Sequence, residues 1–474
     1  QIAIDLMNNQ KQYTKKTVVL SDILQSRQGE KDLYAGVAEL LRRKNVDRII
    51  GIGTAISAQA MAFDIEKEFF FNTDDFLSHF NVNSLHHEVV LIKGARHFCF
   101  ERIAHYLEEK THETVLEVNL KNMVANMNYY RSLLDKGTKV MAMVKAFSYG
   151  TGGVDVANVL QYHGVNYLTV AYADEGVSLR NKNIQLPIMV MNPEQRSVDT
   201  IIKYKLQPEI YSFNILQLFL DGLKEHSETI GVHIKIDTGM HRLGFLPEEI
   251  PTLLHILKGN KQIVVESVFS HFVAADDPSE DAFSAYQVSL LNKVHQEITS
   301  FLGYRPLKHI ANTAGLCRFP QYHFDMVRIG IGLYGINPFV EKEKIAPVAT
   351  LKTIVSQVKR IKSGESVGYN RCFKAGRDSV IATIPIGYAD GLPRSAGNGH
   401  AYVLVNGARV PIVGNICMDM CMVDVTDVPT KEGDMVLIFG KDMPLEDLAT
   451  ATGLITYELL TGISQRVKRI YIED

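Results

Sequence analysis

Lys145 ends the apolar run VMAMV and is followed by AFSYGTGG. A lysine amine held out of water loses basicity and becomes a nucleophile toward aldehydes, the chemistry of a Schiff-base lysine. Just beyond it, Tyr149 supplies a hydroxyl, while Gly150, Gly152 and Gly153 leave backbone amides open to an anion such as phosphate. A solvated lysine followed by an ordinary glycine turn is the plainer reading of the same residues. Asn192, Lys235 with Asp237, His271, Asn312 and Arg328 also close apolar runs. Polar groups at the ends of several different strands are what an active site on a (β/α) barrel requires. Taken singly, His271 and His309 read equally well as satisfied core histidines, and Tyr457 as a packing tyrosine. Cys417 and Cys421 share one face of a strand and have no histidines at metal spacing, so they read as core thiols and no metal site is expected.

The elements that must position these groups are legible as pattern. Apolar runs recur at 140–144, 167–171, 188–191, 208–211, 232–236, 264–269, 308–311 and 326–331, with helical periodicity between them, as at 154–161, 213–223 and 283–301. Eight strands at this spacing suit a closed (β/α)8 barrel of the TIM type; an open sheet is the alternative. Upstream, strand-like runs at 17–20, 48–53, 68–71 and 88–92 alternate with helical stretches at 33–41, 58–63 and 102–107, predicting a small Rossmann-like α/β domain. From about 346 the helices nearly vanish. Strands are expected at 349–358, 379–384, 401–405, 409–413, 421–425 and 435–439, with Asn406-Gly407 as a two-residue hairpin turn. The charged stretch 108–114 is the expected seam. Domains are therefore placed at 1–112 (α/β), 113–345 (barrel) and 346–474 (mainly β).

Composition limits the function classes. The chain has 474 residues, 46% hydrophobic and 22% charged, enough to bury a large core. Lys+Arg 50 against Asp+Glu 53 leaves a net charge of −3, which argues against nucleic-acid or membrane-surface binding. No apolar run is long enough to span a membrane and no signal peptide is visible; five scattered cysteines make a disulfide framework improbable. A cytoplasmic enzyme is expected. The first residue is Gln1 rather than Met, so residues upstream are expected.

VKAFSYGTGG (144–153) resembles the pyridoxal-phosphate lysine motif of alanine racemases. KIDTGMHRLGF (235–245), SHFVAAD (270–276), HIANTAGL (309–316), MVRIGIGLYG (326–335), IPIGYADG (384–391) and VGNICMDM (413–420) follow in family order. The resemblance implies a fold-type III enzyme that interconverts L- and D-alanine through an external aldimine of pyridoxal 5′-phosphate. Lys145 would anchor the cofactor. Tyr149, Thr313, Gly330, Ile331 and Tyr457 would hold its phosphate, Asn312 would also bind the cofactor, Arg328 would face the pyridine nitrogen, and His271 and His309 would lie beside the ring or its supporting hydrogen bonds. Arg242 and the backbone at Met418 would take the substrate carboxylate. Lys235 matches a lysine often carbamylated in the family, its carbamate steering Arg242. Tyr369, in VGYNRCF, would be the second base, because one base cannot readily reach both faces of the substrate. A phenol needs nearby positive charge to act so, and Arg242 is the expected supplier. By the same resemblance the protein would be a head-to-tail homodimer with shared sites.

The sequence departs from the family pattern at Phe147, Ser148, Thr151 and Asn370-Arg371, which bears on cofactor affinity and substrate tolerance. A broad-specificity racemase and a pyridoxal-phosphate barrel decarboxylase are the alternatives within the cofactor class; an acid rather than Arg328 would be expected at the pyridine nitrogen of the latter. A cofactor-free Schiff-base aldolase is the alternative outside it. In the first hundred residues VVLSDIL (18–24), RIIGIG (48–53) and VVLIKGARHFCFERI (89–103) resemble the C-terminal domain of a Mur ligase, the type that adds D-alanyl-D-alanine to the UDP-muramyl tripeptide. That implies a ligase–racemase fusion in peptidoglycan synthesis. The Gly440-Lys441 pair has Met435 and Asp442 where a P-loop needs glycine and Ser/Thr, so no ligation is expected from this chain alone.

Overall fold

Four short strands open the fold: β1 (Lys15–Ser21), β2 (Arg48–Ile52), β3 (Glu66–Phe70) and β4 (Glu88–Lys93). They pair in parallel in the order β3-β2-β1-β4. Every residue of β2 is buried, as a central parallel strand covered on both faces should be. One apolar cluster, around Tyr34, Leu41, Ile49 and Phe63, lies apart from a second around Val19, Ile50, Phe76 and Phe80. The structure, a computed structural model, describes residues 4, 7, 15–23, 29–85, 88–107, 113–337, 339–341 and 343–472. Leu24 of the VVLSDIL motif and most of the 108–114 seam lie outside the described residues. Two compact units result, Gln1–Thr111 and His112–Asp474. The first ends inside the charged 108–114 stretch, and residues 345 and 346 both fall in the second.

In the second unit, β5 (Val115–Asn119) precedes eight parallel strands: β6 (Lys139–Met143), β7 (Tyr167–Val170), β8 (Ile188–Val190), β9 (Gln207–Ile210), β10 (Ile230–Lys235), β11 (Ile263–Phe269), β12 (Leu307–His309) and β13 (Met326–Ile329). They follow sequence order around the sheet, with β13 returning to β6. The remaining seam is bridged by backbone bonds, Asp325 N–H to Lys308 O at 3.1 Å and Arg328 N–H to Ala311 O at 3.0 Å. All eight expected runs are strands, and the sheet is the expected TIM-type barrel. Side chains alternate along each strand. Met141, Tyr167, Met189, Phe269 and Met326 form a cluster of their own, while Val140, Leu168, Ile188, Val268 and Val327 belong to the large surrounding core. The first set faces the barrel axis and the second the helices.

The C-terminal strands are β14 (Ala349–Ile354), β15 (Gln357–Ile361), β16 (Ser366–Val367), β17 (Phe373–Lys374), β18 (Ser379–Ile384), β19 (Tyr402–Val405), β20 (Ala408–Val413), β21 (Cys421–Asp424), β22 (Met435–Phe439) and β23 (Lys468–Ile472). The Asn406-Gly407 turn is found as expected: Val405 faces Ala408, and both turn residues have positive φ. Three expectations need correction. The run 349–358 is two strands, broken after Ile354. Helices Leu445–Thr452 and Thr456–Thr461 occur where none were expected; the first has acidic residues in its opening turn and a left-handed Gly453 beyond its end, ordinary start and stop signals. Finally β5, placed with the barrel by sequence, belongs to the nine-stranded C-terminal sheet, between β14 and β23. Its alternating half-buried pattern fits a one-sided sheet, whereas the barrel strand β7 is buried throughout. Among the described residues no helix is long and apolar enough to cross a membrane.

The β6 end is fastened to the C-terminal elements. Arg469 Nε donates to Gly150 O at 2.9 Å. Gly150 has φ +82, and an added Cβ there would overlap the carbonyl oxygen of Leu460. Gly150→Ala is therefore expected to destabilise the fold by roughly 2–4 kcal/mol, combining left-handed strain with overpacking. Denaturant melts of the variant check this, and an unchanged midpoint would refute the docking.

Candidate active site

Lys145 follows Met141 and Met143 at alternate positions, so β6 delivers it at the barrel's C-terminal mouth. The chain then makes a left-handed turn in which Ala146, Phe147, Ser148 and Tyr149 all have φ between 51° and 54°. Each such residue costs roughly 1–2 kcal/mol, so the turn persists only because its surroundings fix it. Gly150 N–H bonds back to Ala146 O at 2.9 Å, and Glu175 accepts from the amides of Ala146 and Ala171, both at 2.6 Å. Burial, reinforced by the Arg242 charge, lowers the Lys145 pKa below the ordinary lysine value.

Tyr149, at the end of this turn, meets a group of hydroxyls and backbone amides. Tyr149 is buried, its ring 4.9 Å from Tyr334 and 5.8 Å from Tyr457. Gly330 N–H donates to Thr313 Oγ1 at 3.1 Å, and Ile331 opens a short 3-10 helix. A Cβ on Gly330 would stand 2.9 Å from the Tyr149 hydroxyl, closer than real side chains approach, so this cradle requires glycine. Asn312 is a neighbour in sequence, but its side-chain oxygen caps the helix Thr313–Arg318 by accepting from Gly315 N–H at 2.9 Å.

Arg328, on β13, is buried with its guanidinium almost fully occupied by protein. Nη1 donates to His309 Nδ1 at 2.6 Å; Nη2 donates to His271 Nδ1, Ser270 O and Ile310 O, each at 2.9 Å. Because arginine only donates, both histidine Nδ1 atoms must accept, which fixes them as neutral with the proton on Nε2. The consequence propagates inward. His309 Nε2–H donates to Ser267 Oγ at 3.0 Å, Ser267 O–H to His233 Nδ1 at 2.7 Å, and His233 Nε2–H to Gln207 Oε1 at 3.0 Å. Burial lowers the His233 pKa to about 3, and burial with the Arg328 charge holds His271 and His309 well below 6.5. Burial likewise brings Arg328 down to about 10.

Lys235 ends β10 inside the mouth, its Nζ 4.6 Å above the Phe269 ring, and burial lowers its pKa to about 8. Arg242 sits in the following loop and is exposed, yet its charge acts on Lys145, Lys235, His271 and Arg328. Asp237 organises that loop by accepting from the amides of Gly239, Met240 and His241 at 2.9, 3.0 and 3.1 Å.

Tyr369 and Met418 are differently placed. Tyr369 lies in the loop between β16 and β17, is 69% exposed, and its carbonyl accepts from Asn415 Nδ2 at 3.1 Å. Met418 is 53% exposed and its carbonyl accepts from Ala389 N–H at 3.0 Å. Among the described residues, no hydrogen bond, ion pair or ring contact links either to the barrel mouth of the same chain.

Residues 118–338 match the family model for the alanine racemase N-terminal domain, and residues 348–471 the model for the C-terminal domain. The chain belongs to the alanine racemase family. Alanine racemase 1 of Clostridium acetobutylicum is 39% identical over 370 residues, covering 76% of this chain and 95% of that protein. Among solved structures, the alanine racemase of Clostridium difficile 630 superposes with a TM-score of 0.72 at 35% identity, covering 77% of this chain and 97% of its own. The alanine racemase of Bartonella henselae with covalently bound pyridoxal phosphate gives 0.69 at 30%, covering 76% and 99%. Alanine racemases are isomerases dependent on pyridoxal phosphate, and the matched region spans the barrel and the C-terminal sheet.

Several residues that build this alanine racemase site escaped the sequence reading. Glu175 follows β7 by a few residues, a spacing that signals a cap. His233, Ser267 and Gln207 become partners only through the register of three strands. Glu209, a charged residue within the strand-like PEIYS, was visible as an anomaly.

The three neutral histidines make stability depend on pH. Their folded pKa values lie below the unfolded value of about 6.5, so the unfolded chain binds more protons below that pH and stability falls as pH falls. Each contributes roughly 1.4 kcal/mol per pH unit in that window. Proton uptake on unfolding, measured by calorimetry in buffers of different ionisation enthalpy, should exceed two protons at pH 5 and shrink toward zero at pH 7.5. Equal uptake at both values would contradict neutral, Arg328-bonded histidines.

Proposed function

We propose that the protein interconverts L- and D-alanine with pyridoxal phosphate as cofactor and two residues, Lys145 and Tyr369, as bases on opposite faces of the substrate. The observation that carries this is the Lys145 amine, lowered in basicity at the barrel mouth beside the glycine-dependent Tyr149–Gly330 cradle. The residues fit the cofactor's chemistry: an amine for its aldehyde, Tyr149, Thr313 and the Gly330–Ile331 backbone for its phosphate with Tyr457 beside them, and Arg328 for its ring nitrogen. When bound, the cofactor supplies a conjugated electron-withdrawing ring that acidifies the substrate Cα–H.

The remaining work falls to this chain's own side chains. Arg242 and the Met418 backbone hold the substrate carboxylate, fixing which faces of Cα meet the two bases. Lys145 Nζ takes or returns the proton on one face, and the Tyr369 hydroxyl gives or takes it on the other. Arg328 cannot readily surrender its proton, and its bonds to His309, His271 and two carbonyls hold it in place, so the ring nitrogen is not protonated from that side. That limits side reactions that need a long-lived carbanion.

Tyr369 and Met418 are exposed in a single chain, and this supports a head-to-tail homodimer in which each closes the barrel mouth of a second copy. The N-terminal unit, a parallel α/β sheet, is in our reading a Mur ligase C-terminal domain, joining cytoplasmic D-alanine production to its use in peptidoglycan. Mixing inactive Lys145→Ala and Tyr369→Phe proteins tests the shared site. In equal amounts with random exchange, half the dimers are mixed, so about a quarter of all sites become wild type. A chiral assay should show racemisation recovering to about that fraction. If exchange is verified by mass and activity stays at the level of the separate variants, each site is built within one chain.

A further inference from the structure

Glu209 is a buried charge in the barrel that the reaction above does not use. It lies on β9, 2% exposed, in register with His233 of β10. Gln207, two residues earlier on the same face, is bonded by the inward-facing His233, so Glu209 faces inward as well. Among the described residues its Oε2 has no hydrogen-bond partner. The charges acting on it are, in order, Lys235, Arg328, Arg242 and Lys145, all cations. Lys235 stands two residues beyond His233 on the same face of β10 and is 5% exposed. Burial raises the Glu209 pKa to about 6 and lowers that of Lys235 to about 8, each opposed by the other's charge. A desolvated carboxylate is tolerated only where opposite charge compensates it, and here the nearest such charge is Lys235, buried on the same inward face of the neighbouring strand.

We propose that Glu209 is the built-in anion of the barrel mouth, a positioning residue whose charge, beside Lys235 on the next strand, keeps Arg242 turned toward the mouth to meet the substrate carboxylate while Lys235 stays an unmodified amine. This rests on the reading of Arg242 as the carboxylate receptor. The family resemblance would assign the anion to a carbamate on Lys235. Forming one joins the neutral amine nitrogen to the carbon of carbon dioxide and releases a proton, leaving an anion where a cation stood. That anion would adjoin Glu209 inside a closed barrel, and like charges there repel. With Glu209 ionised the carbamate is redundant as well as opposed. Without Glu209, mutual repulsion among the cations turns Arg242 away from the mouth and lowers the Lys235 pKa further, which makes that amine the one open to carbon dioxide.

The test uses the full-length holoenzyme. Equilibrated with 13C-bicarbonate in the absence of substrate, the wild type should show no lysine carbamate resonance, whereas Glu209→Gln should show one that disappears in Glu209→Gln/Lys235→Arg. In steady-state assays without bicarbonate, Glu209→Gln should raise KM for alanine by about tenfold with a smaller change in kcat, and Glu209→Asp, which keeps the charge, should recover most of it. A carbamate resonance in the wild type, lost in Lys235→Arg, overturns the proposal. So does equal impairment of the Gln and Asp variants, which would make the role one of packing, or an unchanged KM in Glu209→Gln. If the wild type does not racemise alanine, the functional reading fails on its own, and the carbon resonance still decides the state of Lys235.

Discussion

Cations kept out of water at one end of a barrel are the constraint to which the rest of the site answers. Lys145, Lys235 and Arg328 are held in or over the mouth, and the Arg242 charge reaches all three. Removing a charge from water is costly, so each group either finds donors and acceptors or loses part of its charge. Arg328 takes the first course, with two neutral histidines and two carbonyls around its guanidinium. Lys145 takes the second, which suits it to the roles of nucleophile and base proposed for it. One physical cause thus leaves a guanidinium held by its acceptors and an amine of lowered basicity within a single site.

Precision comes from strands and from a strained turn. The left-handed residues 146–149 are unfavourable by themselves, but they are clamped by Glu175, in the first turn of the helix after β7, and by the β23 residue Arg469. An added Cβ at Gly152 would overlap the hydroxyl of Tyr471, also on β23. The last strand of the chain therefore fixes the geometry of the first strand of the barrel. This couples the C-terminal sheet to the turn that carries Lys145 within one chain, independently of any role for Tyr369.

Much of this was legible in the sequence. The barrel strands are apolar runs because they are covered on both faces, and Lys145, Lys235, His271 and Arg328 stood out as polar residues ending such runs. β5 was placed with the barrel by the domain bounds alone, because its membership of the C-terminal sheet depends on β23, some 350 residues away. The inward relay through His309, Ser267, His233 and Gln207 depends on register between strands, which no local pattern encodes. Tyr369 carries no local signal at all: it lies exposed in a short loop, and only family resemblance singles it out. Glu209 was anomalous by type, but its meaning depends on which cations surround it.

The central claim is that two different groups handle the proton on the two faces of alanine. Racemisation of L-alanine in deuterated water tests it most directly, with the Cα isotope of newly formed D-alanine read at the earliest conversions. Two bases predict that nearly every D-alanine molecule carries solvent deuterium, because the hydrogen taken by one group is never returned by the other. D-alanine that retains the original protium at those times would mean that one group carries the hydrogen between faces, and would contradict the account.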